Sequence, residues 1–147
     1  MQVGFLGSSS GTGHTVGEFE FRSTATVPCR LQGYVGLQLL DAAGSPLETH
    51  VIRDPAATVG PVTLTPGSAT LGQGHAGHGR FLVEWVANCD ITGTHYVPEN
   101  PVSIQVTPPD ETSQLKINAR GLDGSPMSVC PGQERPGTLH TKPVEAP

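Results

Sequence analysis

Gly74-His75-Ala76-Gly77-His78-Gly79 holds the best-spaced metal donors in the chain, His75 and His78. Two imidazoles three residues apart in a flexible loop can reach one ion. A firm site needs a third ligand and groups that orient the rings. His14, His50, His95 and Asp90 are available, and spacing selects none of them. The plainer account is a solvated glycine-rich loop with two ordinary histidines, and no cofactor is expected. Ser9 in Gly7-Ser8-Ser9-Ser10-Gly11 fits the letters of a hydrolase nucleophile elbow, Gly-x-Ser-x-Gly. That motif joins a strand to a helix in an α/β protein, whereas the segment after Gly13 reads as a strand. The same run lacks the Lys-Ser/Thr ending of a phosphate loop. Cys29 has only Arg30 beside it to lower its pKa, so a disulfide partner or a quiet buried thiol is the better reading. Glu18 and Glu20 fall on one strand face, placed to serve as paired carboxylates; the simpler reading is that strand's solvated face. Trp85 reads as core. No catalytic residues are expected, and the chain is not expected to be an enzyme.

The elements carrying these residues show period two. From Thr15 to Ser23, Phe19 and Phe21 share one face, with Glu18, Glu20 and Arg22 on the other. Arg80 to Asn88 is the clearest strand, with Phe81, Val83, Trp85 and Ala87 on one side. Its other side is also largely apolar, which places it centrally in a sheet. Val102, Ile104 and Val106 alternate with polar residues, as do Leu115, Ile117 and Ala119. Cys29-Arg30-Leu31, Tyr34 to Leu40, Val59 to Leu64 and Thr138 to Lys142 are further candidates, with Pro61 marking an edge or a strand start. Asp41 to Pro46 reads as a turn that sends Leu47 to Ile52 back as a hairpin. Gly7 to Gly13 reads as a flexible loop. The count is roughly eight or nine short strands, the signature of a sandwich or barrel. The expectation is all-β: an immunoglobulin-like antiparallel β-sandwich as one domain over residues 1–142, with a polar tail over 143–147.

Composition agrees. Among 147 residues, 19 are Gly and 14 are Pro, while charged residues make up only 14%. That balance disfavours helical bundles and charge-driven disorder. The net charge is -5 and the eight basic residues are scattered, so nucleic acid is not an expected partner. No run approaches the roughly 18 apolar residues of a membrane span. Met1-Gln2-Val3-Gly4 does not open a leader peptide, which taken literally implies a cytosolic chain. A chain that begins after a removed leader is the alternative. Three cysteines, Cys29, Cys89 and Cys130, leave one thiol free or externally paired if the chain is secreted.

One ordered set of short motifs is more specific than any of these. It runs Gly13-His14-Thr15, Phe19 to Arg22 and Cys29-Arg30-Leu31-Gln32-Gly33-Tyr34. It continues through Leu39 to Gly44, Val62-Thr63-Leu64-Thr65-Pro66-Gly67 and Val83-Glu84-Trp85, then Cys89, Val106-Thr107-Pro108-Pro109 and Cys130. The order and spacing resemble the actinobacterial domain-of-unknown-function family 4232, over about the whole chain. The resemblance implies a secreted or lipid-anchored envelope domain with a sandwich fold and no established activity. It also implies a Cys89–Cys130 disulfide. Members usually carry another cysteine before the first strand, matched to the position of Cys29. None stands here, which leaves Cys29 as a possible free or externally paired thiol. Gly36 also stands where Pro-Gly-Val is usual. The expected function is a non-catalytic extracytoplasmic binding or structural module that meets a protein or envelope surface component. Its expected recognition loops are Gly7 to Gly13 and Leu71 to Gly79. The alternatives are a surface decoration protein of a phage particle and a histidine-loop metal binder.

Overall fold

Alternating residues that are large and apolar on one side make a sheet only when a second layer covers that side. A computed structural model describes residues 1–67, 70–71, 75–87, 90–91, 94–95, 99–120, 125–130 and 134–147. These contain strands and no helix. The strands are β1 (Gln2–Gly11), β2 (His14–Arg22), β3 (Cys29–Gln32), β4 (Gly36–Leu40), β5 (His50–Arg53) and β6 (Pro61–Leu64). They continue with β7 (Gly79–Val86), β8 (Asp90–Ile91), β9 (Thr94–His95), β10 (Ser103–Thr107), β11 (Leu115–Asn118) and β12 (Thr138–Thr141). One sheet has the order β1-β2-β7-β12-β5 and a second the order β11-β10-β4, while β3–β6 and β8–β9 form separate pairs. All pairings are antiparallel except β12 with β5. The fold is all-β, a sandwich around one core.

The five-stranded sheet contributes Phe19, Phe21, Phe81, Val83, Trp85 and Leu139 to that core. Phe19 and Phe81 face each other across β2 and β7 with ring centroids 5.2 Å apart, and Phe5 and Phe21 extend the stack. From the opposing sheet come two registered rows, Leu115–Val106–Leu37 and Ile117–Ile104–Leu39. The β3–β6 pair adds Leu31, Val62 and Leu64. Strand β7 is central, as its two apolar faces predict, and Pro61 opens β6, where its missing N–H costs no ladder bond.

Four expectations change. Gly7 to Gly11 is strand, not loop, and only Thr12 and Gly13 turn. Both have positive φ, 50° and 82°, the type I′ geometry whose twist matches a two-residue hairpin. Pairing with β2 supplies the ladder that local composition does not predict. Leu47 to Ile52 begins as the expected hairpin, with Leu47 N–H donating to Leu39 O, but then leaves. Its continuation β5 pairs parallel with β12 in the other sheet. Gln38 Nε2 pins the departing chain by donating to Leu47 O and Thr49 Oγ1. Glu20 is not solvated: it is fully buried, because the segment before β7 folds over that end of the sheet. Finally, Pro143 and Val144 are buried, and Val144 N–H donates to Gly33 O. Glu145 closes the stretch with an ion pair to Arg80.

Candidate functional site

Large side chains fill one end of the sandwich and small ones line the other. Phe5 and Phe19 are paired across the β1–β2 hairpin, and farther along the same inner face come Ser8 opposite Gly17 and Ser10 opposite Thr15. The register shifts between Phe5 and Gly7. That bulge reverses the side-chain parity of β1, so Ser8 and Ser10 turn inward where Gly7 and Ser9 otherwise would. Small inward groups cannot fill the space between layers. The result is a cleft of about 470 Å³. Its walls are Phe5, Ser8, Ser10, Thr15, Trp85 and, from the opposing layer, Asn118 with the segment Ser125–Ser128.

The cleft is held by short-range bonds. Ser10 Oγ and Thr15 Oγ1 lie 2.8 Å apart, and Ser128 Oγ donates to Asn100 Oδ1. Met127 N–H donates to Ala119 O, which ties the outer wall to the end of β11. Gly17 is essential to the inner wall. A Cβ there would sit 3.0 Å from Trp85 Cζ3 and 3.0 Å from Phe19 Cε2, so only glycine lets the indole lie against β2. The lining pairs hydroxyls and an amide with aromatic and thioether carbon, a surface suited to hydrogen bonding and apolar contact together. Arg120 is a charged group on the rim and is already engaged in an interaction. Sequence reading names the Gly7 to Gly13 stretch that supplies Ser8 and Ser10, but as a loop, and it misses the cleft itself. Its signal was present in the small residues Ser8, Ser10, Thr15 and Gly17 facing one way, but the bulge hid their common direction.

The candidates from the sequence lie elsewhere. Ser9 pairs with Val16 on the outer face of β1, away from the cleft. Cys29 is a half-buried free thiol in β3 opposite Leu64. Cys89 lies outside the described residues. Cys130 is buried, and its N–H donates to Val86 O. His75 and His78 do come together, as the first and last residues of a turn closed by His78 N–H to His75 O. Gly77 takes φ 87° in its third position, which makes the turn type II. His78 is 1% exposed and its Nδ1 lies 3.1 Å from Glu20 Oε2, so the carboxylate read as solvated anchors the loop read as mobile. No third His, Cys, Asp or Glu joins the pair as a metal-holding group among the described residues. His14, His50 and His140 instead contact Glu84, Glu48 and Glu134. His95 and Asp90 pair in register in β8–β9, and nothing of their side chains is described.

No helix among the described residues is long and apolar enough to cross a membrane. No curated protein and no solved structure significantly matches the chain. The family model described as a domain of unknown function, DUF4232, matches residues 1–144, which cover the hairpin, the cleft and both layers. The ordered motifs from Gly13 to Cys130 fall within that span, and the chain belongs to this family of domains of unknown function.

Proposed function

We propose that the chain is a non-catalytic recognition module, displayed outside the cytoplasm at a cell envelope, that seats a neutral polyhydroxylated ligand between its two layers. The cleft carries this reading. Its 470 Å³ lies within the range of about 300–1,000 Å³ typical of small-molecule sites. Serine and threonine hydroxyls both donate and accept, as sugar hydroxyls do, so either partner can adapt. Phe5 and the edge of Trp85 offer carbon to the apolar face of a sugar ring. Sugars are abundant in envelopes, which joins the ligand class to the setting that the family resemblance implies. The Cys89–Cys130 disulfide belongs to the same proposal. Cys130 bonds to Val86 O, and Cys89 follows Val86 by three residues, a short reach for the chain.

The test is an NMR titration of the labelled protein with neutral mono- and disaccharides, including N-acetylated amino sugars. Binding in the cleft shifts the Trp85 indole and the Ser8 and Ser10 amides, and Ser10→Phe, which fills the space, removes those shifts. Shifts confined to other surfaces, shifts that survive Ser10→Phe, or no shifts with any sugar reject the reading.

A further inference from the structure

A second site lies outside the cleft, on the opposite face of the five-stranded sheet, where the turn before β7 crosses β2. His78 is buried there and uses only one ring nitrogen. Its Nδ1 meets Glu20 Oε2 at 3.1 Å, and both side chains are fully buried. In the neutral tautomer that donates Nδ1–H to a Glu20 carboxylate, the ring lone pair is on Nε2, free to take a metal ion. Nε2 is buried and has no partner among the described residues. A buried polar atom left without a partner is destabilising, and a bound ion or water is what would satisfy it. A carboxylate behind one nitrogen of an imidazole, with the other nitrogen open, is the arrangement that orients histidine ligands on metals.

The second donor is adjacent. His75 stands across the type II turn, part-exposed, with its ring centroid 5.8 Å from that of His78 and the planes at 88°. Metal–nitrogen bonds of about 2.0–2.1 Å place two imidazole centroids roughly 5–6 Å apart around one ion. The turn is fixed in this shape from below. Thr65 N–H donates to Gly77 O at 2.8 Å. A Cβ on Gly77 would fall 2.8 Å from Thr65 Oγ1, so the backbone is held close to β6. Charge permits a cation: Glu20 contributes a buried carboxylate, and the neighbouring Arg80 is paired to Glu18 and Glu145.

We propose that His75 and His78 bind one borderline divalent transition ion through two imidazole nitrogens, Nε2 in the case of His78. Glu20 acts as a positioning residue and solvent completes the shell. With the same two imidazole donors the order of affinity follows the Irving–Williams series, copper(II) above zinc(II).

The experiment is calorimetric titration of the full chain with zinc and with copper, beside ring-¹⁵N NMR of the native protein with zinc. His75→Ala is the informative variant, since His75 is part-exposed and outside the core. One ion per chain is expected, weakened at least tenfold in His75→Ala, with the His78 Nε2 resonance moving on zinc addition. The ring-¹⁵N measurement needs no variant, so it holds even if His78→Ala fails to fold. Absence of binding by either ion would mean that water satisfies Nε2, and would overturn the proposal. Binding unchanged in His75→Ala would place the ion on His14, His50, His95 or His140 and overturn it equally. A zinc titration that leaves the His78 ring unmoved does the same.

Discussion

Residue by residue, the least expected feature is how carboxylates are used. Glu20 reads as half of a solvated face because its neighbours Glu18 and Arg22 are polar, and alternation reports only which side of a strand a residue takes. What covers that side comes from His78, 58 positions away, and no local pattern carries that information. Glu99 is a second case. Its Oε2 is buried without a partner among the described residues, close to the backbone of Gly137. Desolvation, followed by repulsion from Glu48, pushes its carboxyl above the ordinary value of 4.5, against a weaker pull from His50. A raised carboxyl favours folding in its protonated form, and this contribution is lost as pH rises through the folded pKa. Glu99→Gln keeps the neutral state at every pH. Its melting temperature should match the native protein at acid pH and exceed it progressively as pH rises past 4.5. Parallel melting curves across that window would reject the assignment.

Among the elements, the alternating strands were readable and the irregular one was not. Phe19 and Phe21, then Phe81, Val83 and Trp85, announce β2 and β7 because each inward position is large and each must be buried. Strand β1 hides itself. Its outer half is serine and glycine, which carry no hydrophobic period, and a bulge changes which of them face inward. Only the partner strand fixes that register, so the cleft could not be read before the fold was known. Gly17 gives the element-scale test. Gly17→Val puts carbon where Trp85 and Phe19 already lie, and overpacking of this kind costs about 1–3 kcal/mol. Denaturant unfolding should show that loss, and the tryptophan emission should shift to the red as the indole is displaced. A variant as stable as the native chain with unchanged emission would mean that the indole is not held by that wall.

For the whole molecule, the family was legible because its short motifs keep their order across both layers, and order survives where single motifs are weak. Sheet membership was not legible. The path from Leu47 into β5 crosses from one layer to the other, and composition does not mark such a crossing. The proposed Cys89–Cys130 bond acts at this scale too. A loop of about 40 residues closed in this way adds roughly 4 kcal/mol in the chain-entropy model. Intact mass after alkylation without reductant should show one thiol modified, at Cys29, and reduction should lower the unfolding midpoint. Three alkylated thiols in the unreduced protein would remove the bond and, with it, one support for an exposed setting.

Strand β12 lies inside the five-stranded sheet, with β7 on one side and β5 on the other. During synthesis the ribosome has made both neighbours long before residues 138–141 emerge. Until then β7 shows an unpaired edge, and β5 has no partner within that sheet. An open edge on a nascent chain is an invitation to aggregate. The five-stranded sheet is therefore completed only by the insertion of one late strand between β7 and β5. In a chain threaded N-terminus first through any pore, this sheet would stay incomplete until residues 138–141 had passed.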